Sequence, residues 1–174
     1  LPAIRSQIEP VPLSDILSSR HCVVLGSPGS GKSTLLRWLA LKCVTSSLQP
    51  EKTDVLTPIT DDTSYFPVLV SLAAFANAIK SERSLTLSDF VDKHLQSLGI
   101  QDLHRLYRIN FQNGCCWLLL DGIDEIAEAD IRIDVVKAIE TFMSGIGNNR
   151  CLLTSRLHGY ERVAGLPHFH IRPL

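Results

Sequence analysis

Residues 26–34 read GSPGSGKST, set directly between the apolar run VVL and the run LLRWLALK. Glycine is costly inside regular structure, because it loses more backbone freedom on folding than any other residue. Three glycines between positions 26 and 31 therefore need a reason. Gly26 to Ser33 fits the spacing GxxxxGK[ST], which works only as the joint between a strand and the first turn of a helix. There the glycines let backbone N–H groups face inward as an anion nest, and the helix start adds free amides and the positive end of its dipole. The stretch thus requires HCVVLG (21–26) to be a strand and KSTLLRWLALKCVTS (32–46) to be a helix. That helix is apolar on most sides and is expected to be well buried.

The rest of the chain repeats this alternation. FPVLVSL (66–72) reads as a second strand, followed by a short helix through AAFANAIKS. LSDFVDKHLQSLG (87–99) reads as a helix with Ser88 as its N-cap and Gly99 as its stop. His94 falls among the apolar positions of that helix and is read as a face residue rather than a ligand. QDLHRLYRINFQNG (101–114) is a further helix. CCWLLLD (115–121) is an unbroken apolar run, the mark of a strand buried on both faces. ADIRIDVVKAIETFMSGIG (129–147) is amphipathic, RCLLTSR (150–156) a fourth strand and FHIRPL (169–174) a fifth. Residues 47–65 are polar and broken by Pro50 and Pro58, a long loop for a compact domain. Alternating strands and helices argue an α/β fold, a parallel sheet with helices on both faces.

At 174 residues the chain is expected to form one domain, with residues 1–20 leading into a core of 21–174. It starts at Leu1 and its sole methionine is Met143, which reads as an excerpt of a larger multidomain protein. The net charge of −1 gives no basic surface for nucleic acid. No apolar run is long enough to span a membrane. The five cysteines (22, 43, 115, 116 and 151) match no metal template and are read as buried thiols of a reducing cytoplasm. Cys115 and Cys116 should point to opposite faces of their strand.

The chemistry of residues 26–34 is that of a nucleoside triphosphate. Gly26, Ser27, Pro28, Gly29, Ser30 and Gly31 form the phosphate loop, Lys32 reaches the β- and γ-phosphates, Ser33 ligates Mg²⁺, and Thr34 donates to the α-phosphate. WLLLDGIDE (117–125) supplies the carboxylates. Asp121, at the strand end, is placed to hold the Mg²⁺ shell beside Ser33. Asp124 and Glu125 follow; one of them orients or deprotonates water, and which one is open. Acidic residues at a helix start are the plainer reading of the pair. Arg156, in TSR (154–156), is placed to sense the γ-phosphate, with Thr154 and Ser155 as supporting hydrogen-bonders. A surface ion pair is its plainer reading.

GSPGSGKST, LLLDGIDEI and LLTSRLHGY together resemble the NACHT branch of the STAND class of P-loop NTPases, and the wording of the last is closer to bacterial members. The likeness covers most of residues 11–174, although Leu157 stands where the family often has proline. The resemblance implies a three-layer α/β/α P-loop NTPase (ASCE/AAA+-like) with five parallel strands in the order 5-1-4-3-2. It implies ATP, with GTP possible, and Mg²⁺. It also implies a slowly hydrolysing cytoplasmic switch whose nucleotide state controls conformation and homo-oligomerisation, in defence or signal transduction. Its partners would be C-terminal helical and winged-helix domains and an effector domain of the same protein. Val11, Pro12 and Leu13 are in position to wall the base, or else form a linker along the sheet edge. His158 and Tyr160 follow the sensor, where a turn through Gly159 is the alternative. The rival readings are a small-molecule kinase, an AAA+-type mechanical ATPase and a nucleotide-dependent scaffold without hydrolysis.

Overall fold

The structure is a computed structural model and describes residues 13–48, 64–157, 160, 163 and 165–171. In chain order the elements are α1 (Leu13–Ser18), β1 (His21–Gly26), α2 (Lys32–Leu48), β2 (Phe66–Ser71), α3 (Leu72–Ser81), α4 (Leu87–Ser97), α5 (Leu103–Gln112), β3 (Cys116–Asp121), a single 3₁₀ turn (Ile123–Glu125), α6 (Ala129–Ser144), β4 (Arg150–Ser155) and β5 (His168–Ile171). The strands form one sheet in the order β2-β3-β4-β1-β5. Every pairing is parallel. This is the expected order 5-1-4-3-2 read from the other edge, and the α/β P-loop NTPase architecture.

Strand periodicity divides the core into two layers. Val23 and Leu25 of β1 join Leu118 and Leu120 of β3 on one face, beneath residues of α3, α4 and α6. Cys22 and Val24 join Trp117, Leu119 and Leu152 on the other, covered by Ile16 and Leu17 of α1 and Leu36, Leu39 and Cys43 of α2. The unbroken apolar run of β3 is thus explained, because neither face of the central strands meets water. The parallel register puts all the strand C-terminal ends on one edge. Ser71 pairs with Asp121, Leu120 with Leu153, and Leu25 with Ser155.

Several boundaries differ from the sequence reading. α2 is not buried on most sides: Leu41 and Val44 are exposed, because only one face of the helix meets the sheet. The N-cap of α4 is Thr86, not Ser88; the Thr86 Oγ1 accepts from the Asp89 N–H at 3.1 Å, and Ser88 lies inside the helix. Gly99 does follow this helix, in the left-handed region at φ 67°. β2 gives way to α3 without a loop, since the Ser71 hydroxyl accepts from Ala74 N–H at 3.3 Å and caps the helix. Leu72 therefore opens α3 rather than ending the strand. α1 had no sequence signal that was read. Most of the long polar loop, residues 49–63, lies outside the described residues, as do 172–174 at the end of the fifth strand.

Two polar residues lock the edge of the sheet opposite the site. Asn149 is buried, accepts from Cys116 N–H at 2.8 Å, and donates to Phe111 C=O at 2.8 Å and Ile146 C=O at 2.7 Å. One side chain thus closes the ends of α5 and α6 onto the start of β3. Arg150 is also buried, with its guanidinium 4.9 Å from the Trp117 ring centre and 5.5 Å from that of Tyr65. It donates to Leu17 C=O and, at 3.0 Å, to Ser19 C=O, which satisfies carbonyls at the end of α1.

His94 is a face residue, its ring stacked on Phe90 at 6.0 Å. Cys116 is buried, whereas Cys115, just before β3, is half-buried. All five cysteines are free, and among the described residues no group of three or more His, Cys, Asp and Glu side chains is gathered as metal ligands. Burial pushes the Cys43 thiol up to about 11 and those of Cys22 and Cys116 up to about 12, and it raises Cys151 as well.

Two outcomes follow from this packing. Asn149→Ala leaves the buried Cys116 N–H without its acceptor and takes one donor each from the Phe111 and Ile146 carbonyls, and is expected to lower the unfolding free energy by about 1–3 kcal/mol, read from urea denaturation. Four of the thiols are closed off by burial, so a thiol reagent is expected to label the half-buried Cys115 first in the native protein. The other four should react only on unfolding.

Candidate functional site

The C-terminal edge of β1 opens into the loop of residues 27–31 and then α2. Two local constraints set the loop. A Cβ on Gly26 would lie 2.4 Å from Ser30 Oγ and 3.3 Å from its Cβ, so glycine here lets the loop fold back tightly on the strand end. Gly29 and Gly31 have φ of 75° and 89°, a region that side-chain-bearing residues rarely enter. The turn is closed by Ser30 N–H donating to Ser27 C=O at 3.1 Å. Nothing lies within 4 Å of where a Cβ would stand on Gly29 or Gly31, so this side of the loop is open.

Lys32 starts the helix and curls back, its Nζ donating to Gly26 C=O at 2.8 Å and Ser27 C=O at 3.1 Å. Its charge is therefore held at the loop rather than spread into solvent. Leu35 N–H bonds Gly31 C=O at 2.8 Å, the first turn of α2, and the amides before it have no partner within the helix. Ser30 Oγ is buried with no hydrogen-bond partner among the described residues. Open amides, one fixed ammonium and an orphan hydroxyl make a site for an anion with several oxygens.

Sheet register then brings the acidic strand end to the loop. Ser33 Oγ donates to Asp121 Oδ1 at 3.1 Å across 88 residues of sequence. Thr154 Oγ1, fully buried at the end of β4, donates to the same oxygen at 2.7 Å and accepts from Gly122 N–H at 3.0 Å. A hydroxyl beside a carboxylate is a hard-oxygen donor set, which fits Mg²⁺.

The turn after β3 separates its two further acids. Gly122 has φ 76°, and a Cβ there would stand 2.8 Å from Glu125 Cδ, so the Glu125 side chain folds back over the glycine. Asp124 points the other way. Its Oδ1 accepts from Arg156 N–H at 3.0 Å and its Oδ2 lies 2.7 Å from Arg156 Nε. The Asp124 side chain is 8% exposed and that of Arg156 49%.

The edge thus gathers residues 26–33, Asp121, Asp124, Glu125 and Arg156. Thr34 lies exposed in the first turn of α2. Val11 and Pro12 lie outside the described residues, as do His158 and Gly159. Leu13 packs on the layer that contains Phe169 and Ile171. The Tyr160 hydroxyl meets His168 Nε2 at 3.1 Å and Val163 N–H at 3.1 Å, which ties it to β5. Two features escaped the sequence reading: the seat that Gly122 makes for Glu125, and the double contact of Asp124 with Arg156. The spacing DGxDE carried the first as a signal, since a small residue between acids implies close packing.

The family model described as the NACHT domain matches residues 20–172 of the chain. Comparison with curated proteins gave no match.

Thr154→Val keeps the shape at the base of this edge but removes a donor from Asp121 and orphans the Gly122 N–H. It is expected to lower stability by about 1–3 kcal/mol, while Thr154→Ser keeps most of it; chemical denaturation of the two variants checks the difference.

Proposed function

The chain belongs to the NACHT domain family and is a nucleotide-binding P-loop NTPase domain, and on that premise we propose that it is an ATP-binding, slowly ATP-hydrolysing switch of a STAND-class signalling protein. One observation carries the reading. Ser33, which follows the phosphate-loop lysine, meets Asp121 directly at 3.1 Å, which supports reading the two as halves of one Mg²⁺–triphosphate site.

In this reading the loop 26–31 wraps the phosphates with its backbone amides, Lys32 lies against the β- and γ-phosphates, and Thr34 reaches the α-phosphate. Ser33 and Asp121 hold Mg²⁺, which when bound neutralises charge on the terminal phosphates. Thr154 keeps Asp121 aimed at Ser33. Asp124 or Glu125 orients the attacking water, and Arg156 reports on the γ-phosphate. Val11 and Pro12, together with Leu13, would line the base. Arg156 comes from the same chain as the loop it serves, which favours a sensor over the trans-acting finger of a mechanical ATPase. Neighbouring helical, winged-helix and effector domains would read the state of this edge, with homo-oligomerisation as output in defence or signalling. A cytoplasmic setting suits the five free thiols. Among the described residues, no helix is long and apolar enough to cross a membrane.

Nucleotide titrations of the full-length protein test this. Lys32→Ala removes the fixed counter-charge and is expected to weaken ATP binding at least about tenfold; unchanged affinity would remove the loop from the mechanism. Asp121→Asn is expected to lower Mg²⁺-dependent turnover far more than ATP affinity, as loss of a group used chiefly in the reacting complex should. ATP bound tightly with no turnover in the wild type would instead make the protein a nucleotide-dependent scaffold.

A further inference from the structure

We propose that Asp124 is a positioning residue for Arg156, holding its Nε so that the terminal guanidinium nitrogens remain free for the last phosphate, and that it is not the group that meets water. The inference rests on the triphosphate reading of the site and deepens it, because that reading leaves Asp124 and Glu125 interchangeable.

The two acids differ in everything but sequence proximity. Asp124 is nearly buried, and both of its oxygens are taken by one residue, Oδ1 by Arg156 N–H at 3.0 Å and Oδ2 by Arg156 Nε at 2.7 Å. A general base needs a lone pair open to the proton it accepts. Each oxygen keeps a second lone pair, but a proton taken up on this 8%-exposed carboxylate would remove the charge that holds Arg156. Glu125 is exposed, its carboxylate makes no hydrogen bond or ion pair with a described residue, and its carboxyl carbon packs over Gly122, one residue from Asp121.

The manner of contact matters as much as its existence. Arginine carries five N–H donors. Asp124 engages the inner one, Nε, and the main-chain amide, and the outer fork of two NH₂ groups is left. The arginine's side chain remains half exposed while its partner is almost closed off. A carboxylate that met the fork end-on would compete with a phosphate for it. A carboxylate on the Nε side fixes the direction of the guanidinium without occupying its end, which is preorganisation. The same strand performs the parallel task at Asp121. Thr154, near the end of β4, and Arg156, the residue just after it, bind Asp121 and Asp124 respectively. β4 therefore sets both acids, and a shift of its end would move the metal-directed carboxylate and the sensor together.

The test uses full-length protein with Mg²⁺, measuring Kd for ATP and for ADP, and turnover, in wild type, Asp124→Asn, Arg156→Ala, the double variant and Glu125→Gln. Asp124→Asn and Arg156→Ala should each reduce the ATP-over-ADP affinity ratio about tenfold, the weight of one charge-assisted hydrogen bond. The double variant should be no worse than either single one, since both remove the same contact. Glu125→Gln should lower turnover and leave the ratio unchanged. A wild-type ratio in Asp124→Asn, with turnover lost, would overturn the proposal and make Asp124 the base. Arg156→Lys keeps the charge but has one ammonium for both tasks. It should lose the ATP preference as alanine does, and retained preference also overturns the proposal. The pairing itself is read without nucleotide from the ¹⁵N–¹H shift of Arg156 Nε, expected to be the same in wild type and Glu125→Gln and to move in Asp124→Asn. A signal unchanged in Asp124→Asn counts against the latch. Wild-type protein that binds neither nucleotide defeats the triphosphate reading, and this signal still decides the pairing.

Discussion

The functional edge hangs on one carboxylate oxygen. Asp121 Oδ1 receives the Ser33 hydroxyl at 3.1 Å and the Thr154 hydroxyl at 2.7 Å, so one atom joins the start of α2 to the ends of β3 and β4. None of the three residues could find the others by local folding. They meet because the sheet is parallel throughout and its register brings strand C-termini to one edge. Thr154 also takes the Gly122 N–H, so the hydroxyl that aims Asp121 fixes the start of the turn after it. The geometry of the acidic turn is therefore inherited from β4.

That inheritance explains how three acids within five residues acquire three environments. Asp121 is paired with hydroxyls, Asp124 is nearly buried against an arginine, and Glu125 is exposed over a glycine. Asp124 and Glu125 are neighbours on one 3₁₀ turn, where successive side chains project about 120° apart, so they leave in different directions. A β-carbon at 122 would collide with Glu125 and carry a strained φ. Glycine at 122 allows the left-handed turn and the close seat of Glu125, as glycine at 26 allows the close approach of Ser30.

The opposite edge of the sheet is held by different chemistry. Asn149 and Arg150 are adjacent, both buried, and donate to backbone carbonyls at the ends of α5, α6 and α1, while Arg150 Nε is buried without a hydrogen-bond partner among the described residues. Unmet carbonyls at helix ends are costly inside a protein, so these two residues let short connections run close to the core. The stable edge is closed by side chain to backbone bonds. The functional edge is left with open amides, an orphan hydroxyl and half-exposed charge, which is where a ligand can supply what the protein does not.

The strands, their parallel arrangement and the phosphate loop were legible because each rests on a local rule. Unbroken apolar runs mark strands covered on both faces, and GSPGSGKST permits only a strand–loop–helix joint. Helix starts were less legible: Thr86 and Ser88 are both good caps, and the choice depends on where the chain leaves the preceding turn. The burial of α2 was overestimated, since composition cannot say which face a sheet will cover. Sequence by itself determined the fold class, the anion-binding loop and the presence of acids and an arginine at strand ends. Only the tertiary structure decided which acid pairs with Arg156, which packs on Gly122 and which meets Ser33. Those pairings span tens of residues and are set by sheet register, a property of strands together that no single stretch of sequence contains.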